Sequence, residues 1–490
     1  MNRLIIMVLG PLVFLISLAI DPVWGMTAPA QVVLGITFWI ALWWVTEVIP
    51  IPVTSLLPII LFPLTGVLEA KSTTLNYGNE IVFLYLGGFL IALSIEKWSL
   101  HKRIALNILL FVGNRLSHIV LGFMIATALL SMWISNTATS VMMLPIGIAI
   151  ASQFQSFQEN NSQNKNRFGI VLMFGIAYGA SIGGLATLIG TPPNLVLRSI
   201  VSEIYHVEIS FLDWFIVMFP LSMILLFLTW FYLVTVYKVK NERHEGGDET
   251  IKAELGKLGS VSYEEKMVAA IFLFTAFGWI SKSWLLDPFI DGINDTVIAM
   301  VGGILMFIVP GKNKKPLMEW KDAIKLPWDI ILLFGGGLAL AEGFKVSGLT
   351  LWVGSNFTLL EGASLILVIL FMVAAINFLT ELTSNLATTT IILPILAALA
   401  TSMDVHPYGI MIAATLSASC AFMLPVATPP NAVVFSSGYF TIRDMAKTGF
   451  VLNVISILLI TLFVYYLLPL VWGIDLGSFP EGFRLFDANS

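Results

Sequence analysis

The sequence contains little charge. Only 11% of its 490 residues are Asp, Glu, Lys or Arg, whereas about 25% is usual for a soluble domain. Hydrophobic residues account for 58% of the chain, and the mean hydropathy is +0.91. This composition excludes an ordinary soluble protein and predicts a polytopic membrane protein.

Residues that many enzymes require are also scarce. The single cysteine, Cys420, excludes an internal disulfide and is interpreted as a small core residue, because it lies in an apolar run. The five histidines show no metal-ligand spacing. The sequence contains neither a nucleophile–base pair nor a nucleotide-binding loop. We therefore expect no enzyme activity and no nucleic-acid partner.

Apolar blocks of helix length recur along the chain, which predicts an all-α protein rather than a β-barrel. Their limits, set by charge, Pro or Gly, predict eleven transmembrane helices. These lie near residues 4–20, 31–49, 52–68, 81–96, 169–200, 214–237, 267–285, 296–310, 328–343, 407–440 and 450–472. The first block is retained as a helix because no small-residue cleavage site follows it.

Two further apolar blocks, near residues 117–148 and 362–398, are too long for a single crossing. About 20 residues already span a hydrocarbon core of ~30 Å. Each block also carries a polar cluster at its middle. Each therefore predicts a re-entrant hairpin, whose polar bend lies at membrane depth and is surrounded by protein or by a water-filled cavity.

The positions of Lys and Arg agree with this count. If Arg3 is cytoplasmic, only Lys71, Arg198, Lys282, Lys345 and Arg484 fall in outer segments. Because short cytoplasmic loops hold the excess of basic residues, the N-terminus is predicted to be cytoplasmic and the C-terminus extracytoplasmic. The first hairpin would then enter from the cytoplasm and the second from outside.

Three landmarks occur twice, in the same order and about half a chain apart. Leu86-Gly87-Gly88-Phe89 corresponds to Phe334-Gly335-Gly336-Gly337, and the polar cluster around Ser135-Asn136 corresponds to the one around Ser384-Asn385. Gly190-Thr191-Pro192-Pro193-Asn194 recurs as Ala427-Thr428-Pro429-Pro430-Asn431. The chain therefore contains an internal repeat.

The repeat divides the chain into predicted domains. These are a leading helix over residues 1–30, a first half over 31–237, a cytoplasmic linker over 238–265, a second half over 266–472 and a C-terminal tail over 473–490. Each half has one hairpin and one broken helix, near 169–200 and 407–440. Five crossings per half invert the second copy, and inverted repeats with interrupted helices are typical of secondary transporters.

The paired prolines predict how a site could form. They remove backbone donors and disfavour helix at the preceding threonine, so each helix must break at Thr191 or Thr428. Free carbonyls at a helix C-terminus suit a sodium ion, and free amides at a helix N-terminus suit a carboxylate. The hairpin clusters add hydroxyl and amide groups from Ser135, Asn136, Thr137, Ser384 and Asn385.

These motifs contain no Lys or Arg, which favours symport. A dianion held by dipoles alone would be bound weakly, so bound cations are the natural source of positive charge, and the binding of anion and cation is coupled. An anion pore would need a ring of charges. An intramembrane enzyme would need a base beside Ser135 or Ser384.

The two glycine motifs, Gly87-Gly88 and Gly335-Gly336-Gly337, are predicted to serve close helix packing.

Glu381, beside the second polar cluster, has no counterpart in the first half. As an ionisable residue within the membrane it is either functional or engaged in a structural pairing, and both readings stay open.

The Ser135-Asn136-Thr137 and Ser384-Asn385 clusters, the two Thr-Pro-Pro-Asn breaks and the order of the hairpins resemble the divalent anion:sodium symporter family, also called solute carrier family 13. The resemblance extends over nearly the whole chain. The resemblance implies a homodimer in the lipid bilayer of the plasma membrane. It also implies a transport domain that moves like an elevator against a scaffold domain, and sodium ions that are co-transported with the substrate.

Carried over by position, the resemblance implies two sodium sites and a substrate site between them. The first sodium site would use Ser135, Asn136 and Gly190, with Ser131 as a further contributor. The second would use Thr380, Thr383, Asn385 and Ala427, largely through backbone carbonyls. The substrate carboxylates would lie near Ser135, Asn136, Thr137, Thr191, Ser384, Asn385, Thr428 and Pro429.

One residue departs from the family pattern. Leu386 stands where many dicarboxylate carriers have a threonine, so it is a candidate determinant of specificity. Our leading hypothesis is sodium-coupled symport of a C4 dicarboxylate such as succinate, malate or fumarate. The alternatives are a citrate or sulfate symporter and a sodium-independent dicarboxylate exchanger.

Overall fold

The computed structural model of the protein describes residues 3–113, 115–157, 162–239, 247–356 and 362–483. Its regular secondary structure is helical, and the residues of one isolated bridge, Pro310 and Pro316, lie outside the helices. The predicted all-α class is confirmed. Linker residues 240–246 and tail residues 484–490, including Arg484, lie outside the described ranges.

The part of the chain up to residue 237 contains the leading helix and the first half. Its helices are α1 (Arg3–Ala19), α2 (Ala28–Thr46), α3 (Ile51–Thr54), α4 (Leu57–Thr65), α5 (Ala70–Leu75), α6 (Glu80–Lys97), α7 (Leu100–Val112), α8 (Leu116–Ser131), α9 (Asn136–Phe157), α10 (Ser162–Gly184), α11 (Pro192–Tyr205) and α12 (Phe211–Val236). Side-chain caps fix several starts. Thr27 Oγ1 accepts from Ala30 N at the start of α2, and Asn79 Oδ1 accepts from Ile81 N at the start of α6.

The remaining helices form the linker and the second half. They are α13 (Gly247–Lys257), α14 (Tyr263–Ser281), α15 (Asp295–Ile308), α16 (Trp320–Ala323), α17 (Trp328–Ser347), α18 (Leu349–Asn356), α19 (Leu365–Thr380), α20 (Asn385–Ser402), α21 (Pro407–Ala418), α22 (Pro429–Phe435), α23 (Ile442–Leu462) and α24 (Leu468–Trp472). Two π-helical turns, Lys282–Leu286 and Phe463–Leu467, extend α14 and α23.

The helices have the dimensions of a membrane protein. Eight within the described ranges are long and apolar enough to cross a bilayer by length and composition. Shorter apolar helices accompany them, among them Arg3–Ala19, Leu116–Ser131 and Asp295–Ile308. The chain is therefore a polytopic membrane protein.

The predicted linker over residues 238–265 contains a helix. Residues 247–257 form α13, and Ile251 within it is buried. The helix packs against α7 and α9. Its apolar side chains, Leu255 among them, contact the protein core, and composition alone does not reveal such tertiary packing.

The glycine motifs pack the two halves together, as predicted. A Cβ on Gly87 of α6 would lie 2.6 Å from the carbonyl carbon of Ala299 in α15. A Cβ on Gly336 of α17 would lie 2.5 Å from the carbonyl oxygen of Ser55, between α3 and α4. Both distances are too short for any side chain, so each half lays a glycine surface against the backbone of the other.

Candidate functional site

Four helices are interrupted at the predicted polar motifs. In the hairpin blocks, α8 ends at Ser131 before α9 begins at Asn136, and α19 ends at Thr380 before α20 begins at Asn385. In the broken helices, the chain resumes helix at Pro192 and at Pro429. Proline is tolerated there because the first helical residue needs no amide partner.

All four interruptions reach one cavity of about 1550 Å³. Of the candidate site residues, twelve are on its wall: Ser135, Asn136, Thr137, Gly190, Thr191, Thr383, Ser384, Asn385, Leu386, Ala427, Thr428 and Pro429. The N-termini of α9, α11 and α20 meet this space. Helix N-termini carry partial positive charge and free amides, so this wall suits an anion.

Ser131 and Thr380 are buried behind the wall, and the hydroxyl of each forms a hydrogen bond with an asparagine on the wall. The Ser131 hydroxyl donates to Asn136 Oδ1 at 2.5 Å. The Thr380 hydroxyl lies 2.7 Å from Asn385 Oδ1 and 2.8 Å from the carbonyl oxygen of Ala418. Each half thus pairs one hydroxyl with the asparagine at its hairpin break, which concentrates neutral oxygen atoms there.

The first oxygen cluster also includes the broken helix. A Cβ on Gly184 would lie 2.8 Å from Asn136 Oδ1 and 3.1 Å from the carbonyl oxygen of Gly190. The Gly184 backbone therefore lies against both residues. Asn136 and Gly190, predicted to share a sodium ion, are brought together at this point.

The backbone carbonyls of Gly190 and Ala427, the predicted backbone ligands, lie on the cavity wall and accept no hydrogen bond from the described part of the chain. The same is true of other wall carbonyls, such as that of Ile189. Other carbonyls of the breaks are engaged, such as Leu185 O with Trp214 Nε1 and Phe422 O with the Tyr178 hydroxyl. A hard cation that prefers oxygen would satisfy the carbonyls of Gly190 and Ala427.

Thr383 contributes differently from the other candidates. Its hydroxyl lies 3.0 Å from the carbonyl oxygen of Leu379 and 2.6 Å from Thr388 Oγ1. Because the hydroxyl is engaged within the hairpin, only the backbone of Thr383 is open to a ligand.

Glu381 does not reach the cavity. Its buried carboxylate accepts hydrogen bonds from the backbone amides of Phe422, Met423 and Leu424, at 2.7, 2.9 and 3.1 Å. It also accepts from Asn453 Nδ2 of α23 at 2.8 Å. Of the two readings left open by the sequence, these contacts favour structural pairing, since the carboxylate ties the second hairpin to the break between α21 and α22.

The first half makes the corresponding tie without a charge. The Thr187 hydroxyl, in the break between α10 and α11, donates to the carbonyl oxygen of Met132 at 2.5 Å. The donor comes from the break and the acceptor from the hairpin in both halves. A backbone carbonyl does in the first half what the Glu381 carboxylate does in the second.

Several residues of the site had no role in the sequence interpretation. Asn194 and Asn431 close the two breaks through side-chain hydrogen bonds, and Gly184 lies against the first oxygen cluster. The two asparagines belong to a duplicated motif, and that duplication was a usable signal. Gly184 carries no comparable signal in the sequence.

Charged residues lie away from the breaks. The cavity wall extends to Lys102 of α7, Lys257 of α13 and Lys325, with acidic groups such as Glu96 and Glu254 among them. Apolar side chains also line the cavity, notably Leu382, Leu386 and Val426 of the breaks themselves. The part of the wall that the four breaks form therefore carries polar and apolar side chains but no charged one.

Interrupted helices that meet at one cavity inside an all-helical membrane protein define a secondary transporter. Comparison with known proteins agrees. The chain belongs to the family described by the sodium:sulfate symporter transmembrane region, which matches residues 1–473. Membership confirms the resemblance to the divalent anion:sodium symporters, the co-transported sodium ion, and a transporter rather than an enzyme.

Named relatives are similar over most of the chain. The sodium-dependent dicarboxylate transporter SdcS of Staphylococcus saprophyticus is 44% identical over 482 residues, covering 97% of this chain and 93% of the relative. SdcS of Staphylococcus aureus is 45% identical over 485 residues, with the same coverage.

A solved structure supports the fold alone. It comes from the work "Structure and Function of Neisseria gonorrhoeae MtrF Illuminates a Class of Antimetabolite Efflux Pumps". It aligns with a TM-score of 0.57 at 12% identity, covering 83% of this chain and 84% of that chain.

Proposed function

We propose that this protein is a sodium-coupled symporter of a C4 dicarboxylate, such as succinate, malate or fumarate, in the plasma membrane. The observation that carries the proposal is the duplicated oxygen cluster. Each half offers an Asn side chain and a backbone carbonyl on the cavity wall, and a hydroxyl behind the wall that pairs with the Asn Oδ1. Two such clusters suit two cations, whose charge would attract a dianion between them.

The lining favours a substrate with a carbon skeleton over sulfate. Leu382 and Val426 beside the second hairpin are 71% and 82% exposed, and Leu386 borders the same region. All three side chains line the same cavity as the two asparagines. A dicarboxylate can place methylene groups against them, whereas sulfate would only be desolvated. The names of the two SdcS relatives point the same way.

The substrate would be held by the walls of the four breaks. Its carboxylates are proposed to bind Ser135, Asn136, Thr137, Thr191, Ser384, Asn385, Thr428 and Pro429. Sodium is proposed to bind near Ser131, Ser135, Asn136 and Gly190 in the first half. In the second half it would bind near Thr380, Thr383, Asn385 and Ala427.

Alternating access would follow an elevator motion in a homodimer. The glycine contacts between α6 and α15 make a rigid interface suited to a scaffold domain. The hairpins α8–α9 and α19–α20, with the broken helices, would form the moving transport domain. This arrangement retains eleven transmembrane helices, two re-entrant hairpins and inverted halves, with a cytoplasmic N-terminus and an extracytoplasmic C-terminus.

Uptake of labelled succinate into proteoliposomes tests the proposal. We expect uptake to require an inward sodium gradient and to be inhibited more by malate and fumarate than by citrate or sulfate. Uptake that ignores sodium but requires internal dicarboxylate would replace symport with exchange. Stronger inhibition by citrate or sulfate than by malate and fumarate would reassign the substrate.

The sodium sites need their own variants. Asn136→Ala and Asn385→Ala should each raise the sodium concentration for half-maximal uptake, because each removes the amide oxygen shared with a neighbouring hydroxyl. Asn107→Ala is a matched control, since this exposed asparagine contacts only its own helix, at the carbonyl of Arg103. Wild-type sodium activation in both variants would contradict the assignment of Asn136 and Asn385 as sodium ligands.

A further inference from the structure

The two Thr-Pro-Pro-Asn motifs end in asparagines with the same hydrogen bonds. Asn194 Nδ2 donates to the carbonyl oxygens of Gly184 at 3.2 Å and Thr187 at 2.8 Å. Asn431 Nδ2 donates to those of Ala421 at 3.1 Å and Leu424 at 3.0 Å. In both halves the accepting residues lie 10 and 7 positions before the asparagine. Each side chain therefore forms the same clamp across its break.

The clamp withdraws two carbonyls of each break from the cavity. A broken helix leaves several carbonyls without a partner, and any of them could turn toward a cation. Asn194 engages the carbonyls of Gly184 and Thr187, and the Thr187 carbonyl also accepts from the amide of Gly190 at 3.3 Å. The Gly190 carbonyl, in contrast, accepts no hydrogen bond from the described residues and lies on the wall. Asn431 does the same beside the free carbonyl of Ala427.

The clamped residues contact the proposed ligands directly. Gly184, held by Asn194, is the residue whose backbone lies against Asn136 Oδ1 and the Gly190 carbonyl. In the second half, the Leu424 carbonyl that Asn431 engages also accepts from the amide of Ala427 at 3.2 Å, and the Leu424 amide donates to Glu381. A shift of either clamped residue would change the distances between the cation ligands.

The side-chain oxygen atoms of Asn194 and Asn431 indicate why asparagine is present at these positions. Both asparagines are fully buried, and neither Oδ1 has a partner in the part of the chain described. A buried acceptor without a partner is unfavourable, so an apolar side chain of the same shape would avoid a cost. Asparagine is therefore present in both halves for its donors.

We propose that Asn194 and Asn431 are positioning residues for the two cation sites, each clamping a break so that one carbonyl, of Gly190 or of Ala427, is presented to sodium. This inference rests on the proposed function, because it assumes that sodium binds at the breaks. It adds the residues that set the affinity of those sites without touching the ion.

The test replaces each asparagine by leucine, which keeps the shape and removes the donors. Gln31→Met is the matched control. Gln31 is also a buried amide, and its Nε2 donates to the carbonyls of Ser17 at 3.0 Å and Ile20 at 3.1 Å, away from the cavity wall. The control thus loses an equivalent pair of donated hydrogen bonds at the end of α1. It also loses the bond that Gln31 Oε1 accepts from the Val23 amide at 2.9 Å, so it is the harsher change.

Two measurements separate positioning from folding. The first is the sodium concentration for half-maximal thermal stabilisation of the purified protein, with choline balancing ionic strength. The second is succinate uptake at saturating sodium. We expect Asn194→Leu and Asn431→Leu to raise the half-saturating sodium concentration about fivefold or more, as loss of ordering hydrogen bonds predicts. The succinate KM at saturating sodium should change less than about twofold, and Gln31→Met should leave both quantities unchanged.

The outcomes are distinct. Wild-type sodium dependence in both leucine variants, or an equal shift in Gln31→Met, would overturn the positioning role. If the leucine variants do not yield folded protein, Asn194→Ser and Asn431→Ser are measured by the same criterion, because serine keeps one shorter donor. If the wild-type protein itself shows no sodium-dependent stabilisation or uptake, the proposed function fails rather than this inference alone.

Discussion

Gly184→Ala is the most direct probe of the first cation cluster. The added methyl group would lie 2.8 Å from Asn136 Oδ1 and 3.1 Å from the Gly190 carbonyl oxygen. Ordinary contact begins at 3.4 Å, so one oxygen must retreat by about half an ångström. The rest of the surroundings also resist the change, because the oxygen of Gly184 itself is held by Asn194 Nδ2.

The expected effect falls on sodium. Overpacking of a well-packed interior costs roughly 1–3 kcal/mol. If that cost is felt when the ligands close on the ion, the sodium dissociation constant rises roughly 5- to 150-fold. The variant would lower the affinity for sodium first. The affinity for succinate at low sodium would then fall as well, because the binding of sodium and the binding of succinate are coupled.

Gly88→Ala is the matched control for this variant. The three atoms nearest to its methyl group would belong to the Ile189 side chain, at 3.5 Å or more, which is ordinary contact. Both proteins are titrated with sodium in the thermal and uptake assays. A Gly184→Ala protein that folds and keeps the wild-type sodium midpoint would refute the placement of a cation between Asn136 and Gly190.

Three further predictions address other parts of the molecule. Leu386→Thr should change the relative uptake of succinate, citrate and sulfate without changing the sodium concentration for half-maximal uptake. Unchanged selectivity would mean that the leucine in place of the family's threonine has no effect on substrate choice. Arg198→Met should lower the thermal unfolding temperature, because it strands Asp295, its buried partner at 3.0 Å, at a cost of roughly 3–5 kcal/mol. Adding Asp295→Asn should recover part of that loss, and no recovery would contradict the pairing. Glu381→Gln should also lower the unfolding temperature, since an amide cannot accept from all four donors, whereas wild-type stability would contradict its structural role.

Transmembrane elements are predictable here because the bilayer sets their length and composition. The block near 81–96 is α6 (Glu80–Lys97), and the block near 328–343 lies within α17 (Trp328–Ser347). Short helices that cross no membrane lack this signal. Helices α13 (Gly247–Lys257) and α18 (Leu349–Asn356) are stabilised by packing against neighbours, so the apolar-block rule misses them.

The candidate site was predictable in its residue types and less so in its roles. Prolines and duplicated Ser-Asn clusters mark where helices break, because those residues oppose a continuous helix. The partners of each carbonyl depend on tertiary folding. Only the structure reveals that Asn194 engages the carbonyl of Thr187, or that Glu381 accepts from the amide of Phe422. Hydrogen-bond partners distant in sequence leave no local pattern to read.

The two halves agree at some positions and differ at others, and under the proposed function this difference would separate cation from anion recognition. The hydroxyl–asparagine pairs and the asparagine clamps occur in both halves with matching partners. A cation needs only oxygen atoms, so the same device can serve twice. Thr137 and Leu386 occupy equivalent positions yet offer a hydroxyl and an isobutyl group. A small dianion bound between the hairpins has one polar and one apolar environment to satisfy. The two halves are therefore symmetric where sodium is proposed to bind. They are asymmetric at Thr137 and Leu386, where the protein is proposed to distinguish a dicarboxylate from sulfate.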